Sequence, residues 1–343
     1  MRRVLFAAGG TMGHIGPALA VATSLRTKDP KAEITFVGTR AGLESGMDLG
    51  FPLVRIIKVP LPRRFGLDLV LFPFRFLIAL LQSLVIISRI DTIVGFGGYV
   101  STPLYLAGWL RRRRLIVHEA NALPGFANRV GKSLGAETYA NFENVARMWG
   151  CEAIGIPLRE EVIDLARAKQ SEKPGEILIM GGSQGSARIN EVIWSALERL
   201  PPNIVIVHAV GERNLADVPA HLLHGADPRY RAVGYIDGIA AAYGRAQLVI
   251  ARAGAVTCAE LRALRKRAIL IPLGHGNGEQ AENARELVRE GIAIAVADRD
   301  FTADWLIENL QRAFALESVA STDPHLEATE HLVTAIMRSA ARR

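Results

Sequence analysis

Two Rossmann-like α/β domains, each built on a parallel sheet, are what this sequence predicts. Three observations carry the prediction. The chain has 343 residues, and roughly 100–200 residues per domain suits two of them. Short, continuous apolar runs rich in Val and Ile alternate with longer helical patterns, twice over. Glycine-rich turns follow three of those runs. An apolar run without alternation fits a strand covered on both faces, hence a parallel sheet with helical crossovers. With 50% hydrophobic and 22% charged residues, a disordered or fibrous chain is excluded.

In the first half the strand-like runs are 4–8 (VLFAA), 34–37 (ITFV), 93–95 (IVG) and 115–118 (LIVH). In the second they are 177–180 (ILIM), 204–207 (IVIV), 248–251 (LVIA), 268–272 (AILIP) and 292–296 (IAIAV). The pattern breaks at Gly155-Ile156-Pro157 and in the polar stretch 169–175, so the domains are expected at 1–158 and 159–323. The opening MRRVLFAAGG has an apolar run of only five residues before Gly9. A signal peptide needs about 7–15, so a buried first strand and a cytoplasmic protein are expected. Two cysteines, Cys151 and Cys258, are too few for a disulfide framework or a cysteine-built zinc site. They read as reduced thiols.

Charge is unevenly placed. Residues 1–158 hold 19 Lys and Arg against 10 Asp and Glu, and residues 159–343 hold 22 against 24. The basic half is expected to meet something anionic, a phosphate, a nucleic acid or a lipid surface. The most apolar segment, 66–88, is interrupted by Asp68, Pro73 and Arg75 and has a charge-free run of 13 residues before Arg89. A transmembrane helix needs about 18, so the segment is not expected to span. Arg63, Arg64, Arg75, Arg89 and Arg111–Arg114 surround it. An apolar crossover helix with Phe72, Phe74 or Phe76 near a bilayer surface fits that pattern.

The glycine turns are Gly9-Gly10-Thr11-Met12-Gly13-His14, Gly95-Phe96-Gly97-Gly98-Tyr99 and Gly181-Gly182-Ser183-Gln184-Gly185. In open parallel sheets ligands bind at the carboxyl ends of strands, where such turns open onto helix N-termini. Exposed N–H groups and the helix dipole there favour phosphate. Three turns divided between two domains predict an anionic ligand in a cleft. The first reads G-G-x-x-G rather than G-x-G-x-x-G, and Thr39-Arg40 stands where an acidic ribose ligand would be. A NADP-binding oxidoreductase is therefore the weaker alternative. A nucleic-acid module is disfavoured, because few aromatics interleave the arginines.

GGTMGH at 9–14, GFGGYVS at 95–101, HEAN at 118–121, GIPLR at 155–159, GGSQGS at 181–186, ARAGAVTCAE at 251–260 and EQAENA at 279–284 occur together and in order. The set resembles the MurG family. Its members are bacterial transferases that move N-acetylglucosamine from UDP-GlcNAc to the MurNAc 4-hydroxyl of lipid I (undecaprenyl-pyrophosphoryl-MurNAc-pentapeptide), giving lipid II. The resemblance implies an α/β GT-B fold, an inverting mechanism, and peripheral attachment to the anionic inner face of the cytoplasmic membrane. It also implies that a C-terminal helix, about 324–341, packs back on the first domain. No nucleic-acid partner is implied, and the oligomeric state is left open.

Sugar transfer from a nucleoside diphosphate needs a base for the attacking hydroxyl, stabilisation of the leaving diphosphate, and recognition of sugar and nucleotide. His14, in the first turn, can be neutral near pH 7 and is the expected general base. Glu119 is the rival, or else orients its loop. The turn at Gly254-Ala255-Val256-Thr257 should open a helix whose N–H groups face the diphosphate, helped by Ser183, Arg159 and Arg252. The resemblance carries nucleotide contacts onto Arg159, Ser183, the backbone of Ile236, the run Ala255, Val256, Thr257, Cys258, Ala259 and Glu260, and Gln280, with Glu260 on the ribose. Asn121 and Gln280 would read the sugar, Thr11, Met12 and Gly13 would line the cleft, and Gly97, Gly98 and Tyr99 would form an acceptor or pyrophosphate loop. Asp298-Arg299-Asp300 matches a metal-binding D-x-D only as a string. No tightly bound cofactor or metal is expected, and stimulation by Mg2+ through the substrate phosphates is compatible with that.

The sequence departs from the family pattern at Met12 (usually Gly), Ala120 (usually Gln), Ile156 (usually Asn) and Arg265-Lys266-Arg267 (usually a G-L-P-like turn). Donor-side positions survive better than acceptor-side ones. A GT-B transferase with another lipid acceptor, a nucleotide-sugar epimerase and a silent nucleotide-binding scaffold are the alternatives within the fold.

Overall fold

A computed structural model describes residues 1–40, 42–59, 67–168, 171–222, 227–274, 278–317 and 323–338. The flanking arginines Arg63 and Arg64 and positions 339–341 of the expected C-terminal helix lie outside them. The chain forms two compact units, Met1–Arg159 with Pro324–Arg343, and Glu160–Asp323.

In unit 1 the elements run β1 (Arg3–Ala8), α1 (Met12–Lys28), β2 (Glu33–Thr39), β3 (Leu53–Ile56), α2 (Leu67–Ile86), β4 (Thr92–Gly97), α3 (Ser101–Leu110), β5 (Arg114–Glu119), α4 (Phe126–Ser133), β6 (Glu137–Ala140), α5 (Glu143–Trp149) and β7 (Glu152–Ala153). Among the described residues they build a seven-stranded parallel sheet in the order β3-β2-β1-β4-β5-β6-β7. The order reverses direction between β1 and β4, which is where such sheets open a ligand crevice. Strands β3, β6 and β7 lie outside the sequence expectation. They are short and partly polar, and pair near the sheet's edges, so they carry no continuous apolar run.

Unit 2 runs α6 (Glu160–Arg167), β8 (Glu176–Met180), α7 (Ala187–Ala196), β9 (Val205–Ala209), β10 (Tyr230–Val233), α8 (Ile239–Arg245), β11 (Leu248–Ala251), α9 (Ala255–Leu264), β12 (Ala268–Leu270), α10 (Glu279–Arg289), β13 (Ala293–Ala295) and α11 (Ala303–Phe314). Its parallel sheet is ordered β10-β9-β8-β11-β12-β13, with the reversal between β8 and β11. Ile177, Ile179, Ile206, Leu248, Ile250 and Ile269 pack with Phe301 and Leu306 on one side of it.

The last described helix, α12 (His325–Met337), belongs to unit 1. Its Leu332, Val333, Ala335 and Ile336 share a core with Val4, Phe6, Phe36, Val94 and Ile116. Arg2 Nη2 donates to the Met337 carbonyl at 2.8 Å and Arg114 Nη1 to that of Arg338 at 3.0 Å, satisfying acceptors at the helix end. Ile156 N–H donates to His325 Nδ1 at 2.7 Å. Ile156 and Ala120 are both buried, so these two departures sit inside the unit.

Lys266 stands in the turn after α9 and is fully buried. Its Nζ donates to Glu172 Oε1 at 2.9 Å and to the Ala246 carbonyl at 2.8 Å. Arg267 reaches the same carboxylate and the Leu316 carbonyl. Arg265 takes the left-handed C-cap at φ +52, a conformation glycine adopts more readily. Ion pairs thus hold this turn.

Helix α2 is longer than the sequence reading expected. Pro73 and Arg75 lie within it without breaking it, and the stretch Val70–Arg89 is long and apolar enough, at mean hydropathy 2.3, to cross a membrane by length and composition. One face, with Ala79, Ser83, Ile87, Leu80 and Leu84, packs on the core below α3. Val70, Leu71, Phe74, Leu77, Ile78, Leu81 and Val85 are exposed on the other. Of the three phenylalanines singled out in the sequence, Phe74 is exposed, while Phe72 and Phe76 stack on each other at 6.0 Å.

Unit 2 also buries His208. Trp194 Nε1 donates to Tyr230 Oη at 2.7 Å, and Tyr230 Oη lies 3.0 Å from His208 Nδ1. The tyrosine hydroxyl thus links the indole and the imidazole in one buried chain, and His208 Nε2 has no hydrogen-bond partner among the described residues. Burial pushes His208 down to about 3, and His118 in unit 1 down to about 4. The unfolded rings take up protons below about pH 6.5, whereas the folded ones resist until far lower pH. These two sites therefore stabilise the fold above pH 6.5, and that stability is lost progressively as the pH falls. Thermal melts of His208→Phe should show a smaller drop in Tm from pH 7 to pH 4.5 than the wild type; equal drops would refute the assignment.

Candidate active site

The turns singled out in the sequence cluster, in each unit, at the carboxyl ends of the strands flanking the reversal in strand order. In unit 1, Gly9 and Gly10 follow β1, and Gly97 and Gly98 close β4. Gly10, Gly97 and Gly98 have φ of +99, +99 and +88, open to glycine at no steric cost. The two turns abut: a Cβ on Gly98 would stand 2.5 Å from the Gly9 carbonyl oxygen. Thr11 is the N-cap of α1 and makes no side-chain cap bond. The His14 N–H returns to the Thr11 carbonyl at 3.1 Å, and those of Met12 and Gly13 are left to a ligand, the arrangement that suits an anion. Met12 is half-buried and its side chain packs against the core of unit 1. Gly13 is exposed.

His14 stands on the first turn of α1. Its Nδ1 lies 3.2 Å from Thr11 Oγ1, and Nε2 borders Gly97, where a Cβ would come within 3.3 Å. Loss of water around the ring lowers its pKa below the ordinary 6.5, opposed by a hydrogen bond to the Gly9 backbone and by the charge of Glu44. The ring is accordingly neutral at pH 7, as a general base must be.

Glu119 closes β5 and is 1% exposed. Oε1 accepts the Asn121 N–H at 2.9 Å and its side-chain amide at 3.4 Å. Oε2 accepts the Gly125 N–H and Asn128 Nδ2, each at 2.9 Å. Burial raises its pKa and these donors lower it in part. With four donors aimed at it, the carboxylate organises residues 119–128, the loop-orienting alternative expected for it. Asn128, missed in the sequence, also accepts from Tyr105 Oη at 3.1 Å. Tyr99 is exposed, with Lys58 Nζ 5.7 Å from its ring centre. Arg159, expected on the donor side, falls in unit 1.

In unit 2, Gly254 caps α9 with no side-chain bond, and the Cys258 N–H returns to its carbonyl at 2.9 Å. The N–H groups of Ala255, Val256 and Thr257 remain for a ligand. Cys258 and Ala259 are buried in the core, and burial raises the thiol to about 12. Both stand on the inner face of α9, where small apolar side chains pack. Glu260 is also buried and accepts from Tyr243 Oη at 2.9 Å. Arg252 donates to Asp298 Oδ1 at 2.5 Å, to Ser186 Oγ at 2.8 Å and to the Ile271 carbonyl at 3.3 Å. Its guanidinium ties the loop after β8 to the end of β13, and Asp298 is bound by that ion pair. Ser183 is exposed in the first turn and Ile236 half-exposed after β10. Gln280, on the first turn of α10, accepts the Leu273 N–H through Oε1 at 3.0 Å, leaving its amide nitrogen. Among the described residues no group of three or more His, Cys, Asp or Glu could hold a metal ion.

Residues 4–139 match the Glycosyltransferase family 28 N-terminal domain and residues 176–335 the Glycosyltransferase family 28 C-terminal domain. A relative from Frankia casuarinae, a UDP-N-acetylglucosamine–N-acetylmuramyl-(pentapeptide) pyrophosphoryl-undecaprenol N-acetylglucosamine transferase, is 38% identical over 100% of this chain and 97% of its own. A protein of the same name from Corynebacterium diphtheriae is 43% identical over 88% of this chain and 85% of its own. The crystal structure of Acinetobacter baumannii MurG superposes with a TM-score of 0.73 at 26% identity, covering 98% of this chain and all of that one. A putative UDP-N-acetylglucosamine 2-epimerase from Listeria monocytogenes, at 12% identity and a TM-score of 0.62, shares the fold alone. Two glycine-turn sites on two parallel sheets, joined to full-length identity of this order, decide the matter: the chain belongs to the MurG family of glycosyltransferases, within glycosyltransferase family 28.

Proposed function

We infer that this protein is a UDP-GlcNAc-dependent hexosyltransferase that moves N-acetylglucosamine onto undecaprenyl-pyrophosphoryl-MurNAc-pentapeptide, forming lipid II. The observation that carries it is the identity of 37–43% over most of the chain to relatives bearing that one activity in their names. The MurNAc 4-hydroxyl oxygen attacks C1 of the donor sugar, the bond from C1 to the diphosphate breaks, and UDP leaves. Attack from the face opposite the diphosphate inverts C1.

His14 Nε2 takes the hydroxyl proton, a role supported by its neutral ring and its border with the side-chain-free turn at Gly97–Gly98. Glu119 positions Asn121 rather than reacting. The free N–H groups at the start of α1, with Thr11, Gly13 and the Gly97–Tyr99 turn, are assigned to the acceptor's pyrophosphate. Those of Ala255–Thr257 are assigned to the leaving diphosphate, with Ser183 and Arg159. Ile236, Glu260 and Gln280 are assigned to the nucleotide and sugar. Met1–Arg159 with Pro324–Arg343 is assigned to the acceptor and Glu160–Asp323 to the donor. Mg2+ on the substrate phosphates is compatible with these assignments.

His14→Ala should lower kcat by about a hundredfold or more while leaving the donor KM within a few-fold. A variant of wild-type rate would remove His14 from the reaction. In the wild type the acid limb of kcat/KM should fall below pH 6.5, since the depressed histidine is the group that must be unprotonated. A limb above pH 7 would contradict the assignment.

The exposed face of α2 is assigned to the anionic inner face of the cytoplasmic membrane, where the lipid acceptor resides. Trp109, Leu110, Arg111 and Arg112 are exposed at the end of the adjoining α3, and Arg113 donates to the Ser88 carbonyl at 2.8 Å, just past α2. Apolar side chains rimmed by guanidinium groups suit a helix lying in the headgroup layer. Leu77→Ser/Leu81→Ser should reduce co-flotation with anionic liposomes by on the order of tenfold, with UDP binding retained. Undiminished flotation would assign the face elsewhere.

A further inference from the structure

One buried carboxylate has no part in the chemistry above. Glu44, in the helical turn Leu43–Gly46 after β2, is 1% exposed. Its Oε2 accepts the Gly10 N–H at 2.9 Å and its Oε1 accepts the Thr39 N–H at 2.7 Å. Three glycines make room for it. A Cβ on Gly9 would stand 2.9 Å from Oε1, on Gly38 2.3 Å from Cγ, and on Gly42 2.1 Å from Oε1. None of the three has a positive φ, so glycine stands there for space and not for backbone freedom. A buried carboxylate is costly to desolvate and weak as a source of stability. What this one does is local: it ties the turn after β1 to the end of β2.

We propose that Glu44 is a positioning residue for sugar transfer, clamping the Gly9–Gly10 turn so that the Gly9 carbonyl, His14 and the first N–H groups of α1 keep one geometry toward the acceptor. This rests on the assignment of that turn to the acceptor. Gly9 is the hinge of the argument, because its carbonyl oxygen meets both the Gly98 backbone and the His14 ring. Thr11, the Gly9 backbone and the Gly97–Gly98 turn surround that ring, and among the described residues the charge acting on it is that of Glu44. Displacement of an angstrom at such a position is enough to cost about a hundredfold in rate.

The test is Glu44→Gln in the full chain, with transfer kinetics on UDP-GlcNAc and a short-chain acceptor, and titration of the His14 ring by NMR. Glu44→Gln keeps the shape but turns an amide toward one of two backbone donors. The expected result is a kcat lower by at least about tenfold, a UDP-GlcNAc KM within twofold, and a His14 titration moved to lower pH. Glu44→Asp, with the charge on a shorter arm, should restore the titration and part of kcat. Should Glu44→Gln fold poorly, Gly42→Ala carries the same expectation. Its backbone, at φ −83 and ψ 160, accepts alanine, and the added methyl displaces the carboxylate. Activity within twofold of wild type, or a loss confined to the donor KM, overturns the proposal. If the wild type itself transfers no sugar, the acceptor assignment fails, and an unmoved His14 titration in Glu44→Gln would then overturn the clamp separately.

Discussion

The ligand-facing end of unit 1 depends on two turns lying closer than side chains allow. The Gly98 backbone sits against the Gly9 carbonyl, with His14 beside both. Any side chain at Gly98 would push the turns apart and carry the histidine with them. Unit 2 obeys the same constraint with different residues. A Cβ on Gly185 would stand 1.9 Å from the Val210 carbonyl oxygen, and one on Gly211 2.2 Å from that of Gln184. In both units backbone approaches backbone closely beside a strand that flanks the reversal in strand order, which only glycine allows.

The loops that make this possible were legible because their signal is local. A strand, two glycines and the start of a helix occupy a dozen adjacent residues, and His14 lies within that window. The partners that hold the loops were not. Glu44 reaches Gly10 across 34 positions, and Arg252 reaches Asp298 across 46; nothing at either end announces the other. The only trace of Glu44 is the cluster Gly38, Gly42 and Gly46 around it, which reads in sequence as an ordinary turn. Burial along α9 was not legible either. A run of motif residues on a helix turns through all its faces, and Cys258 and Ala259 look inward.

Helix α2 shows how composition and burial divide the same residues. Pro73 and Arg75 led to a shorter apolar run than the structure has: both lie inside the helix, which continues through them although Pro73 donates no backbone hydrogen bond. The inner face then follows the core below α3, and the outer face is left with leucine, isoleucine, valine and phenylalanine side chains that the protein itself does not cover.

The return of α12 to unit 1 has a consequence for how the chain is made. Residues 160–323 are contiguous, so unit 2 is fully synthesised while unit 1 still lacks Leu332, Val333, Ala335 and Ile336. At about 5–20 residues per second the ribosome takes many seconds to cross that insertion. Through that interval the apolar side of α1 and the edge of the first core stand uncovered. The usual N-terminal-first order is reversed at its last step: the domain begun first is the one finished last.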